Sequence, residues 1–272
     1  MDGVKPVEPM TDAISVFARS ITDIQLVAKT LGVMRHQLSP DLSQTNLSQC
    51  RFGFFKTDLF DSLGSESVKI VWEKAKRSLS DAGAFVEDLD LGPEFDGWEG
   101  VGGKIGKIMD SAADVSTFGD YIVNRNRVSE TILDRAKNVI PRTEVVKIYD
   151  ELAALRPKFD DIAGRYDAII TLPTLVEAPK LSENDVPDFA ALWSCLHVPA
   201  LCVPGFAGIN GLPIGLTLVA PRYVIDMGEL MSRYQDERLV HVAKFVAEVF
   251  IEAGKDDLRK VPAPGGVVAL KP

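Results

Sequence analysis

Cysteine is scarce in this 272-residue chain: Cys50, Cys195 and Cys202 are all it has. An odd count without a C-x-x-C pair argues against a disulfide framework or a zinc ribbon and suits a reducing compartment. Long apolar runs are also missing. The stretch from Asp167 to Leu175 is interrupted by Pro173, far short of the roughly 18 apolar residues of a membrane span. Met1 to Thr11 carries Asp2, Lys5 and Glu8 where a secretory signal needs an apolar segment. Positive charge is in deficit, with 30 Lys and Arg against 39 Asp and Glu and a net charge of −9. No cluster of Lys and Arg offers a surface that tracks phosphates. The expectation is a cytoplasmic chain with neither nucleic acid nor membrane among its partners.

Hydrophobic residues make up 46% and charged residues 25%, enough apolar material for a sizeable core. Ile14, Phe17, Ile21, Ile24, Val27 and Leu31 recur every three or four residues and predict a helix over Ile14 to Val33, with Ser20, Thr22 or Asp23 offering a later start. Ser39 to Gln49 reads as a polar loop. Arg51 to Phe55 reads as a strand, Ser65 to Asp81 as a helix facing inward through Val68, Val71, Trp72, Ala75 and Leu79, and Ala84 to Leu91 as a second strand after Gly83. Strand, helix, strand with short joints predicts a βαβ unit and a partly parallel sheet. Helical patterning runs from Ile105 to Ala136. A helix over Glu144 to Ile162 contains Pro157, which predicts a kink or a split. Tyr166 to Leu172, Pro199 to Pro204 and Leu212 to Ala220 read as buried strands, Thr174 to Asp188 as a loop over the C-terminal edge of the sheet, and Gly228 to Ala253 as the closing helix. The fold class is α/β: a mixed sheet flanked by helices, one domain over 1–272, with 1–13 and 261–272 as loop or tail.

Generic catalytic motifs fail on mechanics. In Gly100 to Lys107, Gly106-Lys107 is followed by Ile108 instead of the hydroxyl that a phosphate loop brings to magnesium, and Ile105 takes the third glycine position of a dinucleotide fingerprint. His36, His197 and His241 lack metal-ligand spacing, so neither a metal nor a cofactor is expected. Cys195 and His197, read as alternate residues of an extended segment, point apart. Cys202 reads as a small hydrophobe in a buried strand. No G-x-S-x-G elbow exposes a serine. Asp160 and Asp161, and Asp256 and Asp257, read as solvated charges at helix ends.

The C-terminal third is more specific. Tyr166-Asp-Ala-Ile-Ile-Thr-Leu-Pro173, then Pro199-Ala-Leu-Cys-Val-Pro204-Gly-Phe, then Gly211-Leu-Pro-Ile-Gly215-Leu form an ordered series that resembles the C-terminal hallmarks of the amidase signature family. Upstream, Ala18-Arg19-Ser20 with Asp23 resembles the family's "ARS-x-x-D" helix start, Arg51-Phe-Gly53 the strand that opens its C-terminal half, and Gly3-Val-Lys5-Pro6 its "G-x-KP" element. The resemblance implies an amidase-signature fold, incomplete on its N-terminal side. It further implies hydrolysis of carboxylic amides by a Lys-Ser-Ser network, in which a lysine buried enough to lose its proton serves as base. In the family those residues precede the "G-x-KP" element, so no catalytic residue is assigned in this chain, and a truncated or split form, inactive alone, is expected. A small-molecule amide is the expected substrate of an active form. Trp193, Cys195 and His197 fall where the family's C-terminal half approaches its acyl pocket and are the candidate substrate-binding residues. Ser194 and His197 depart from the family's "N-x-x-G-x-PA" pattern. The alternative is a non-catalytic assembly subunit whose exposed sheet edges are covered by a second copy or a partner chain.

Overall fold

The computed structural model describes residues 12–34, 46–98, 103–111, 123–130, 133, 140–180, 189–224 and 233–258. The aromatic run Arg51–Phe55 forms β1, buried at four of its five positions. After a short helix, α2 (Phe60–Leu63), comes α3 (Glu66–Asp81), whose start is fixed by the Ser65 hydroxyl accepting the Val68 N–H. Its predicted inward stripe of Val68, Val71, Trp72, Ala75 and Leu79 is buried throughout. Gly83, at φ +95°, takes a backbone angle closed to most side chains and turns the chain into β2 (Phe85–Leu89). β2 lies parallel to β1, from Arg51 opposite Phe85 to Phe55 opposite Leu89, as the predicted βαβ unit requires.

A second crossover, through α5 (Arg142–Ala163), delivers β3 (Ala168–Thr171) parallel to β1 on its other side. β5 (Pro213–Val219) pairs antiparallel with β3, and β4 (Ala200–Ala207) antiparallel with β5. The order β2-β1-β3-β5-β4 is thus a mixed five-stranded sheet with β4 at one edge. Period-two alternation splits the sheet into two cores. Phe52, Phe54, Ile170, Leu216 and Leu218 face α3 and the last helix, α7 (Asp236–Leu258), while Phe55, Ile169 and Val219 face α4 (Lys104–Ser111), α5 and α6 (Ala190–Leu196).

α7 comes so close to β4 at Gly254 and Gly205 that neither position tolerates a side chain. A Cβ on Gly254 would stand 1.7 Å from the Gly205 carbonyl oxygen, and one on Gly205 would stand 2.4 Å from the Phe250 Cβ. The Pro204-Gly205-Phe206 motif is therefore a packing seat.

Several expectations are corrected. The first helix, α1, spans Ile21–Thr30: Ser20 accepts the Asp23 N–H and caps the later start, leaving Ile14 and Phe17 exposed in irregular chain. Pro157 does not split α5, which runs unbroken from Arg142 to Ala163; it and Ala153 face solvent, where the carbonyl that the missing N–H leaves free can be hydrated. Cys202 is exposed, because β4 is an edge strand and one of its faces is uncovered. The closing helix begins at Asp236, after a two-strand ribbon of β6 (Tyr223–Val224) and β7 (Arg233–Tyr234). The "G-x-KP" element, the predicted tail 261–272 and most of the predicted helical stretch after Ser111 lie outside the described residues.

Candidate functional site

Several motif residues prove to be fasteners. Tyr166 donates its hydroxyl to Glu87 on β2 at 2.6 Å, and Arg51 reaches the same carboxylate at 2.8 Å. Gly53 makes room for that ring, since a Cβ there would lie 3.1 Å from it. Asp167, buried, accepts the Arg51 N–H at 2.7 Å and an Arg238 N–H from α7. Asp160, read as a solvated helix-end charge, is instead 7% exposed and grips Arg222, accepting its backbone N–H at 2.8 Å and two guanidinium N–H bonds. Glu177 is buried under the β4–β5 turn. Burial pushes its carboxyl up, but bonds from the Ser67 hydroxyl, the Leu212 and Asn210 N–H groups and the Asn210 amide outweigh that and hold it below the usual range. A Cβ on Gly208 would collide with that carboxylate at 2.1 Å.

The three sequence candidates are brought near one another on α6 but do not converge on one cavity. The segment is helical, not extended. Trp193 packs against Phe55 and Phe159, and Cys195 is fully buried in the same core. Only His197 reaches the surface. It ends α6 at φ +60°, a left-handed position that glycine occupies at many helix ends, and it stands at the glycine of the family's "N-x-x-G" pattern. The Arg156 guanidinium lies 3.3 Å from its Nε2 and donates to the Cys195 carbonyl at 3.0 Å. His197 lines a recess of about 390 Å³ with Val198, Pro199, Arg222, Tyr223 and Asp236, at the rim where β3 and β4 begin.

The opposite rim, where β1 and β3 end, is where open α/β sheets take ligands. There the hydroxyls of Thr57, Thr171 and Thr174 are buried without a hydrogen-bond partner among the described residues. Thr171 stands beside Thr217 on β5, and Thr217 beside the exposed Cys202 on β4. Buried polar groups are rarely left unpaired, so this rim is built to meet further polar atoms. Sequence reasoning missed these threonines; the Thr171-Leu-Pro-Thr174 motif at a strand's end was the available signal.

Among the described residues, the lysines and serines with printed side-chain bonds do not pair with one another as nucleophile and base. Lys74 and Lys76 bond to Asp257 and Asp88, Lys158 to Glu94, and Lys244 to Gln25. Ser20 and Ser65 cap helices, Ser62, Ser78 and Ser194 bond to carbonyls, and Ser67 bonds to Glu177. Burial pushes the Cys50 thiol up to about 11, with the Asp167 carboxylate adding to the shift, so it is no nucleophile. Among the described residues, no group of three or more His, Cys, Asp or Glu is placed to hold a metal ion, and no helix is long and apolar enough to cross a membrane.

Comparison with known proteins separates sequence from fold. No protein-family model matches the sequence, and no curated protein does. Solved structures do match. The peptide amidase from Stenotrophomonas maltophilia superposes with a TM-score of 0.60 at 17% identity, over 92% of this chain and 55% of that one. The Thermotoga maritima glutamyl-tRNA(Gln) amidotransferase, compared through one of its subunits, gives 0.60 at 18% identity, over 88% and 53%. A protein described within a vestigial complex that bears on the origins of an s-triazine catabolic enzyme gives 0.68 at 16%, over 90% and 55%. The fold is that of amidase-signature enzymes, and the chain spans about half the length of the solved proteins it matches.

Proposed function

We propose that this chain carries the C-terminal half of an amidase-type hydrolase, a cytoplasmic single-domain unit acting in the cleavage of carboxamide C–N bonds of a small molecule, and that these 272 residues alone do not turn over. The carrying observation is the match of nearly the whole chain to about half of an amidase fold, with the rim at the ends of β1 and β3 presenting unpaired hydroxyls instead of a complete active site. In this reading Thr57, Thr171 and Thr174 meet the segment that brings the lysine and serines, and Trp193 and Cys195 support the acyl pocket from behind. Purified chain assayed against simple carboxamides should show no saturable turnover and no stoichiometric labelling by a serine-directed fluorophosphonate. Either activity would overturn the claim of inactivity.

A second reading, an assembly subunit that continues its sheet in a partner, is favoured by β4. That strand pairs only with β5 among the described residues, and Ala200, Cys202 and Pro204 expose its outer face. Such an edge is a template for another strand. Light scattering behind size exclusion separates the readings: a stable higher-order species with Cys202 protected from thiol reagents supports assembly, and a monodisperse monomer with Cys202 reactive counts against it.

A further inference from the structure

Opposite its buried stripe, α3 carries a second row of residues. Glu66, Lys69, Ile70, Glu73, Lys74 and Arg77 recur at helical spacing and line an open recess of about 600 Å³. Ile70, near the middle of the row, is 51% exposed, and charges of both signs flank it on each side. Lys74 is tied to Asp257, and Lys69 donates to the Asp61 carbonyl. Glu66, Glu73 and Arg77 are exposed and make no ion pair among the described residues, although Glu73 precedes Arg77 by four positions, the order that favours a pair within a helix. A parallel second copy of this row would set Glu66 against Glu66 and Arg77 against Arg77. An antiparallel copy sets unlike charges together.

We propose that this face of α3 is the contact through which two copies of the chain pair, their helices antiparallel about a two-fold axis level with the Val71–Trp72 peptide. Position 66 then faces position 77, so Glu66 of each copy meets Arg77 of the other, and every contact is made twice. Lys69 falls about 1.5 Å along the axis from Glu73 of the second copy, on the same side of the seam. The two Ile70 side chains, about 4.5 Å apart along the axis, pack on the other side. The two Glu73 carboxylates approach each other, each beside a Lys69. From Glu66 to Arg77 the face is only about 16 Å long, so the interface is small and the pairing transient and salt-sensitive. Cys202 alternates with Leu201 and Val203, which join the core on the α3 side, so its thiol lies on the opposite face of the sheet and stays open in this dimer. That separates it from pairing through the edge of β4.

Sedimentation velocity of the full chain at pH 7, from about 5 to about 500 μM protein and at roughly 20 and roughly 500 mM salt, tests this. A monomer–dimer equilibrium with a Kd of about 100 μM or tighter is expected at low salt, weakened at least about tenfold at high salt. Glu66→Arg and Arg77→Glu each set like charges together and should each weaken pairing at least about tenfold, as should Ile70→Lys. The double variant Glu66→Arg/Arg77→Glu should pair as the parent does. An equimolar mixture of the two single variants should form a mixed dimer, because each then meets the charge it lacks. All these side chains are exposed, and an unchanged thermal midpoint shows that each variant folds. A monomer up to about 500 μM, a dimer indifferent to both single reversals, or single variants that do not pair with each other overturns the proposal. Association is read without turnover, so its failure and a failure of the amidase reading are distinguishable.

Discussion

Replacing Gly254 by Ala separates local propensity from tertiary packing, because the two act with opposite sign. Gly254 lies inside α7, where Ala is favoured over Gly by about 1 kcal/mol in an open helix. In the folded chain the added methyl would stand 1.7 Å from the Gly205 carbonyl oxygen and 3.2 Å from the Phe206 Cα, both backbone atoms that no rotamer change can move aside. Relief requires α7 to lift from β4, and overpacking of this kind costs about 1–3 kcal/mol, at the upper end where backbone must shift. The net expectation is a loss of about 1–2 kcal/mol, read as a fall of roughly 2–8 °C in the thermal midpoint at about 2–4 °C per kcal/mol for a chain of this size. Gly205→Ala gains nothing from helix propensity and meets Phe250, so it should lose at least as much. The double variant should lose less than the sum, since one displacement of α7 relieves both contacts. Thermal and urea unfolding of the three variants provides the measurement. A midpoint for Gly254→Ala at or above that of the parent would refute the close seating of α7 on β4.

Glu177→Gln should cost about 1–3 kcal/mol at neutral pH, because a buried anion receiving several N–H bonds is replaced by an amide that turns donors toward donors. The native carboxyl is held below its ordinary value of 4.5, so its contribution is fully present above that pH and is lost as pH falls through the lower native value; the gap between parent and variant in urea unfolding should close below pH 4.5 and stay open at pH 7. A gap constant with pH would remove the ionised carboxylate from the account. His197→Gly should raise the thermal midpoint by a few degrees, relief of about 1 kcal/mol of left-handed strain outweighing the lost contact to Arg156, and a lowered midpoint would show that contact to be the stronger effect. At pH 8 a thiol reagent should modify Cys202 ahead of Cys50 and Cys195, slowly for an exposed thiol because desolvation pushes the Cys202 thiol up, and leave the two buried cysteines unmodified until unfolding; reaction of Cys50 before Cys202 would contradict its burial.

Elements governed by local chemistry were legible in the sequence. The stripe of α3, its Ser65 cap and its Gly83 stop all act within a few residues, and β1 to β2 follows from them. What escaped depends on partners far along the chain. Asp160 is gripped only because Arg222, 62 positions later, folds over it, and the Glu177 carboxyl is held below its usual range because Ser67 and the Asn210 turn bond to it. The stretch Trp193 to His197 was misread as extended because its helix is short and ends on histidine, which gives no glycine stop signal. Cys202 looked buried because an apolar strand reads alike at the centre of a sheet and at its edge. Of the candidate site, the motif series located the correct third of the chain, but the orphan threonines and the charges around the recess emerge only once strand ends are brought together.

The Asp167 fastener has a consequence for the order in which this protein can be finished on the ribosome. Asp167 sits at the start of the central strand β3, tied to β1 through the Arg51 N–H and to α7 through Arg238. Residues that emerge early therefore hold a carboxylate whose cation is translated 71 positions later, and β5, which closes the other side of β3, also arrives late. The βαβ unit of β1, α3 and β2 can form as it emerges, since its contacts are near in sequence. The centre of the sheet cannot lock until α7 has been made, so arrest of translation before Arg238 should leave nascent chains whose first strands are paired but whose middle remains open to proteolysis.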